Sequence, residues 1–377
     1  MTELGIYLDY NAGAPVREPV AEAMRSAALR AGNPSSVHRF GSLARRTVES
    51  AREQVAGLGG WAPEDVVFTS GGTEANNLAI HGAGRRTIFV SAVEHDSVLA
   101  PARRGGHDCH VVPVDGEGVA DLAVLDAALD ACGAPALVSI MLANNETGVI
   151  QPVAEVAAIA HRHGALFHCD AVQGPGKIPL DAARNADLVS LSAHKFGGPM
   201  GVGALIVRGA ELVAQMTGGG QERRRRAGTE NVPGIAGLGL AAELSRDDLA
   251  AADEIQSLRD DIEARLEGAG ARVFGAGATR LGNTSCLSMP GVAAETQVMA
   301  FDLDGIAVSA GAACSSGKVG PSHVLAAMGI DPDEAATAIR LSLGRATEPA
   351  HIGKFVESWM ALNRRAGPAA TRGRNAA

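Results

Sequence analysis

Four lysines in a chain of 377 residues make each amine conspicuous, because nearly all other positive charge is arginine, which stays protonated in a protein. They are Lys177, Lys195, Lys318 and Lys354. Lys195 stands in DLVSLSAHKFGGPMGVGALIV (187–207), where two apolar runs of strand character, LVSL and ALIV, flank a glycine-rich turn. An ammonium at the end of a buried strand is costly unless it is paired or loses its proton, and a Schiff base to an aldehyde is one use for such an amine. The alternative is a loop lysine whose stem lies over apolar surface.

Other residues suited to chemistry also follow apolar runs. VVFTSGGTEANN (66–77) reads as a strand, a glycine turn and a helix. Thr73 lies near that helix N-terminus, where free N–H groups and the helix dipole favour a phosphate, although a threonine there serves equally as an N-cap. The stretch lacks the GK[ST] ending of a Walker loop and the GxGxxG of a dinucleotide site. SAVEHDSV (91–98) puts His95 just past a strand end, as a site residue or as a hydrogen-bonded structural one. LANNETGVIQP (142–152) presents Asn144, Asn145 and Glu146 before a glycine turn, in the kind of loop where α/β sheets bind ligands.

HRHGALFHCDAVQGPGK (161–177) offers His161, His163, His168, Cys169 and Asp170, but geometry weakens a metal cluster. His161 and His163 do not share a helix face, and strand alternation separates Cys169 from His168 and Asp170. The two helical histidines suit a helix C-terminus, whereas Asp170, at the end of an apolar strand, suits a pyridinium nitrogen. In AVSAGAACSSGKVGPSHV (307–324) no apolar neighbours bury Cys314, and Lys318 nearby favours its thiolate. AIRLSLGR (338–345) alternates so that Ile339, Leu341 and Leu343 share one face while Arg340 faces away from the core, ready to clamp a carboxylate or to meet solvent. GGGQERRRRAGTEN (218–231) reads as an exposed loop with a solvated charge run.

The elements that must hold these residues alternate. Strand-like runs at 66–70, 87–93, 110–114, 136–144, 165–172 and 188–192 are separated by helix-length segments such as 74–83, 121–131 and 152–163. That order implies an α/β domain with a mostly parallel sheet covered on both faces, expected over 14–250. A smaller α+β domain is expected from 1–13 and 251–365, and the tail 366–377 is expected to be disordered. Net charge of -9 argues against general nucleic-acid binding, and five cysteines without CxxC spacing indicate neither a disulfide framework nor a zinc site. No apolar run approaches the ~18 residues of a membrane helix, and MTELGIYLDYNAGAP lacks the order of a signal peptide, so a cytoplasmic location is expected.

YLDYNAGAP, NPSSVHRFG, TSGGTEANN, EHDSV, NNETG, DAVQ, SAHKFGGPMGVGAL, RAGTEN, GAACSSG and IRLSLGR follow one another in the order of class V aminotransferase-fold enzymes. From about residue 6 to 360 the chain resembles NifS/IscS-type cysteine desulfurases. The resemblance implies a fold-type I pyridoxal 5'-phosphate enzyme, a homodimer with its active sites at the subunit interface. Its reaction would turn L-cysteine into L-alanine and pass the sulfur through a persulfide on Cys314 to an acceptor protein, in iron–sulfur cluster assembly or tRNA thiolation. In that resemblance Lys195 carries the cofactor, Asp170 holds the pyridinium nitrogen, Gln173 reaches the ring hydroxyl and His95 stacks on the ring. Thr73, Ser192 and His194 bind the phosphate, with Thr229 reaching in from the partner subunit, and Arg340 and Asn145 hold the substrate carboxylate. A selenocysteine lyase or an aminotransferase on the same fold is the alternative enzyme, and a cofactor-less interaction scaffold the alternative outside catalysis.

Overall fold

The computed structural model describes residues 5–311 and 322–366. Its strands in chain order are β1 (Ile6–Tyr7), β2 (Val66–Thr69), β3 (Thr87–Ser91), β4 (Asp108–Val112), β5 (Ala136–Ser139), β6 (Leu166–Asp170), β7 (Leu188–Ser192), β8 (Gly203–Val207), β9 (Thr284–Ser288), β10 (Ile306–Ala307), β11 (Ser309–Ala310) and β12 (Ala338–Ser342). Continuous apolar runs produce strands buried on both faces, and seven of these form one sheet in the order β2-β8-β7-β6-β5-β3-β4. All its neighbouring pairs are parallel except those of β8, which runs against both β2 and β7. The reversal follows from chain length: the connection 193–202 is too short for the crossover a parallel pair requires, so β8 must come straight back. That connection carries Lys195.

Helices cover both faces. Glu18–Ala28, Arg39–Ala56 and Val232–Asp248 pack together on one side, over a core that includes Phe167, Val189 and Ile206. Gly72–Gly82 and Asp96–Arg104 pack on the other, over Ile88, Val90 and Leu205. The chain reverses direction in the sheet between β4 and β5, so the carboxyl ends of β3 and β5 bound a topological switch point, where open α/β sheets bind ligands.

Beyond the helix Val232–Asp248, β9, β12 and β11 form an antiparallel sheet in the order β11-β12-β9, with β1 and β10 paired parallel beside it. Trp359, Phe355, Phe301 and Leu341 fill its core. The chain thus combines an α/β unit built on a mostly parallel sheet with a smaller antiparallel one, as its alternating pattern implies. Two local readings shift. The run 110–114 forms its strand at Asp108–Val112, because Pro113 has no N–H to continue the ladder. Arg340 does not meet solvent: it faces away from the apolar cluster, yet it is only 1% exposed, covered by the segment that follows β1.

One buried group makes the fold sensitive to acid. His168 on β6 bridges its neighbours, 2.8 Å from Ser139 Oγ on β5 and 2.9 Å from Ser190 Oγ on β7, and burial pushes its pKa down to about 4. An unfolded histidine titrates near 6.5, so between those values the unfolded chain takes up the proton first. Stability therefore falls as pH drops through that window, and the contribution of His168, on the order of 3 kcal/mol, is fully lost near pH 4. Urea unfolding at pH 7 and pH 4.5 should show a smaller acid loss in His168→Asn than in the parent; equal losses would clear His168 of this role.

Candidate active site

The polar loops beyond the carboxyl ends of β3, β5, β6 and β7 meet at a cleft of about 420 Å³. Thr73, His95, Asn145, Asp170, Gln173, Ser192, His194 and Lys195 all line it. Of the remaining sequence-predicted residues, Arg340 lies behind Asn145, donating to its carbonyl at 3.1 Å, and Thr229 lines a neighbouring pocket with Ser70, Arg226 and Glu230. Cys314 and Lys318 lie outside the described residues.

One wall is the start of the helix Gly72–Gly82. Its N-cap is Gly71, not Thr73, and no side chain caps it, so the first-turn N–H groups remain available at the cleft. Gly71 has φ 152°, and a Cβ on Gly72 would come within 3.0 Å of Val172 Cγ2, so both glycines keep this approach narrow and clear. Ser192 Oγ lies 3.0 Å from His194 Nδ1, and burial followed by the charge of Lys195 holds His194 down to about 4, hence neutral at pH 7. A helix N-terminus with hydroxyl and imidazole groups around it is a donor set suited to a phosphate.

The floor is Asp170. Its Oδ1 accepts from the Val172 amide at 3.0 Å and its Oδ2 from Asn76 Nδ2 at 2.7 Å. Lys195 Nζ donates to the Asn11 carbonyl at 2.6 Å and the Ala12 carbonyl at 3.1 Å. Gln173 Nε2 shares the Asn11 carbonyl at 3.1 Å, while its Oε1 accepts from Lys177. A carboxylate, an amine and an amide around a cleft with a phosphate-ready end match the needs of pyridoxal phosphate: a partner for the ring nitrogen, an amine for the aldehyde and a donor for the ring hydroxyl.

Residues that the sequence did not single out complete the site. Asn11, 1% exposed, is its hub: its side chain accepts from Lys177 at 2.8 Å and Asn283 at 3.2 Å and donates to Thr284 Oγ1 at 2.9 Å and the Asn145 carbonyl at 3.2 Å. Burial, and then the Lys195 and Arg340 cations, hold the Lys177 amine well below the ordinary lysine range. Asp9 holds Arg340 with a 2.7 Å ion pair. The scarcity of lysine pointed to Lys177 as much as to Lys195, and Asn11 stands inside YLDYNAGAP as a polar residue beside a strand.

The arginine-rich loop is not simply solvated. Glu222, 7% exposed, takes both terminal nitrogens of Arg52 at 2.9 and 3.0 Å, and Arg226 pairs with Glu74 at 2.8 Å on the cleft wall. Of the run, Arg223 and Arg224 are exposed, and Arg225 and Arg226 are part-buried. His161 pairs with Asp187 and His163 with Asp126, and no group of three or more metal-ligating side chains occurs among the described residues.

Fold and cleft together define an α/β chain with a lysine-bearing cleft at the carboxyl ends of its strands. The Aminotransferase class-V family model matches residues 6–355, and the chain belongs to that family. It is 45% identical to a cysteine desulfurase of Cereibacter sphaeroides, covering 93% of this chain and 94% of that one. It is 43% identical to a cysteine desulfurase IscS of Anaeromyxobacter sp. (strain Fw109-5), over 94% and 91%. Among solved structures, a NifS-like protein from Rickettsia africae superposes with a TM-score of 0.88 at 35% identity, over 96% of this chain and 99% of that one.

Asn11→Ala would remove one buried hydrogen bond each from Lys177, Asn283, Thr284 and the Asn145 carbonyl, leaving Lys177 with Gln173 and Asn283 with the Leu343 carbonyl. The expected cost is about 2–4 kcal/mol in urea unfolding at pH 7. A change below about 0.5 kcal/mol would mean that these contacts do not act as one network.

Proposed function

We propose that the protein is a pyridoxal-phosphate-dependent cysteine desulfurase that converts L-cysteine to L-alanine and delivers the sulfur to an acceptor protein. What carries this reading is the convergence of Lys195, Asp170 and His95 on one cleft whose far wall is an uncapped helix N-terminus. Lys195 would hold the cofactor, Asp170 its ring nitrogen, Gln173 its ring hydroxyl and His95 its ring face. Thr73, Ser192 and His194 would hold the phosphate. The bound cofactor supplies a sink for the electron pair released at the substrate Cα.

This chain's own residues do the rest. Arg340, on giving up its contact to the Asn145 carbonyl, would hold the substrate carboxylate with Asn145, and Lys195 is the amine that takes the Cα proton and returns it. The Cys314 thiolate attacks the substrate sulfur: an S–S bond forms as the C–S bond breaks, and the released electron pair stays on carbon, which takes up a proton. Carbon leaves as alanine and sulfur remains as a persulfide, ready for a second thiol on the acceptor.

A homodimer suits the surface. Leu29, Val37 and Phe40, the last two flanking the start of the helix Arg39–Ala56, are 73%, 97% and 60% exposed, an apolar set that a second copy would cover. Thr229 lies outside the cleft of its own chain, so a phosphate contact from it would be to the cleft of a second copy. Among the described residues no helix is long and apolar enough to cross a membrane.

Purified protein supplied with pyridoxal phosphate, L-cysteine and a thiol reductant should release alanine and sulfide in equal amounts. Cys314→Ala should lose that turnover while retaining the bound-cofactor absorbance, and Lys195→Ala should lose both. A cofactor-loaded protein that yields no alanine would sink the proposal.

A further inference from the structure

His95 is the N-cap of its own helix: the Ser97 amide donates to His95 Nδ1 at 3.0 Å. A backbone N–H has only a hydrogen to offer, so Nδ1 must be the unprotonated nitrogen. Ser97 Oγ lies 2.7 Å from the same Nδ1, and Asn76 Nδ2 lies 2.8 Å from that Oγ. The direction of this second contact follows from the far end of the chain. Asn76 Nδ2 also meets Asp170 Oδ2 at 2.7 Å, so the amide presents its NH₂ to both, one hydrogen to the carboxylate and one to Ser97 Oγ. With an acceptor site on Ser97 filled, its own hydrogen points at His95 Nδ1.

We propose that Asn76 and Ser97 are positioning residues that lock His95 as the Nε2–H tautomer, so that the neutral imidazole offers the cleft a hydrogen-bond donor and not a base. Both residues line the cleft with His95, and among the described residues no hydrogen bond to His95 Nε2 is found, which leaves that N–H for a ligand. The geometry stands without any cofactor; only its consequence for cysteine turnover rests on the function proposed above. There it assigns His95 to donating or stacking, and leaves base chemistry to Lys195.

The lock also bears on protonation. An imidazolium needs a hydrogen on Nδ1, where two donors already point, so both contacts oppose it. Burial opposes it as well, as do Lys195 beyond β7 and His323 at the start of the helix His323–Ala327. Asp170 at the end of β6 and Asp96 on the helix of His95 favour it.

The test is imidazole ¹⁵N NMR on the full-length chain, with and without pyridoxal phosphate, the His95 signals being assigned by their loss in His95→Gln. The parent should show an unprotonated Nδ1 and a protonated Nε2. Ser97→Ala and Asn76→Ala should each raise the His95 titration midpoint, by about one pH unit for Ser97→Ala, while the Ser97 backbone amide keeps the neutral form as Nε2–H, and Ser97→Thr should restore the parent midpoint. A parent spectrum with the hydrogen on Nδ1 overturns the proposal, and so does an unchanged midpoint in both alanine variants. If an alanine variant does not fold, the parent spectrum still decides the tautomer. Failure to turn over cysteine does not touch these resonances, so the two readings fail separately.

Discussion

The Asn11 carbonyl is the contact on which the site depends. It accepts from Lys195 and Gln173 of the α/β unit, while the same residue's amide donates to Ser342 Oγ at the end of β12. The segment from Asp9 to Ala14 is therefore a strap between the two sheets. At one end Asp9 orients Arg340, and at the other the Ala14 amide bonds the His194 carbonyl at 2.7 Å, one residue from Lys195. Backbone hydrogen bonds anchor the strap to each sheet, the Tyr10 amide to the Ser342 carbonyl at 3.1 Å and the Ala14 amide to the His194 carbonyl, and the Asp9–Arg340 side-chain pair is added to them.

A second constraint shapes the rim of the cleft. Glu222, Arg223 and Arg224 have φ of 41°, 56° and 65°, a left-handed run of non-glycine residues that costs roughly 1–2 kcal/mol for each. The buried carboxylate of Glu222 holds the run in place: besides Arg52 it accepts from the Phe68 amide at 2.9 Å. The turn in turn delivers Arg226 to Glu74, whose carboxylate also receives the Ser70 amide at 2.7 Å. Strain in the arginine-rich loop is thus tied to the shape of the glycine turn that begins the helix Gly72–Gly82.

Much of this was legible in the sequence because parallel strands advertise themselves. Buried on both faces, they appear as short unbroken apolar runs, and the residues just past them fall at the site by topology alone, as His95, Asn145, Asp170 and Lys195 do. What could not be read were partners distant along the chain. Alternation showed that Arg340 faces away from Ile339 and Leu341, but not that Asp9 waits there; composition showed a run of arginines, but not that a glutamate before it is buried against Arg52. Asn76 and Ser97 carry no pattern at all, since one amide and one hydroxyl acquire their roles only when a helix start, a strand end and a neighbouring turn converge.

The strap has a consequence for the order of synthesis. Asp9 leaves the ribosome among the first residues, yet its partner is 331 positions later, and Ser342 follows that partner. The α/β sheet can form while the remainder is still being made, and Asn11 can meet Lys195 and Gln173 there, but the Asp9 end of the segment has no Arg340 or Ser342 to dock against until β12 emerges. Completion of the strap is thereby deferred to the end of translation, and a chain that stops short of β12 would keep the lining of the cleft but lack the guanidinium that Asp9 orients. The N-terminal segment acts as a checkpoint for completeness.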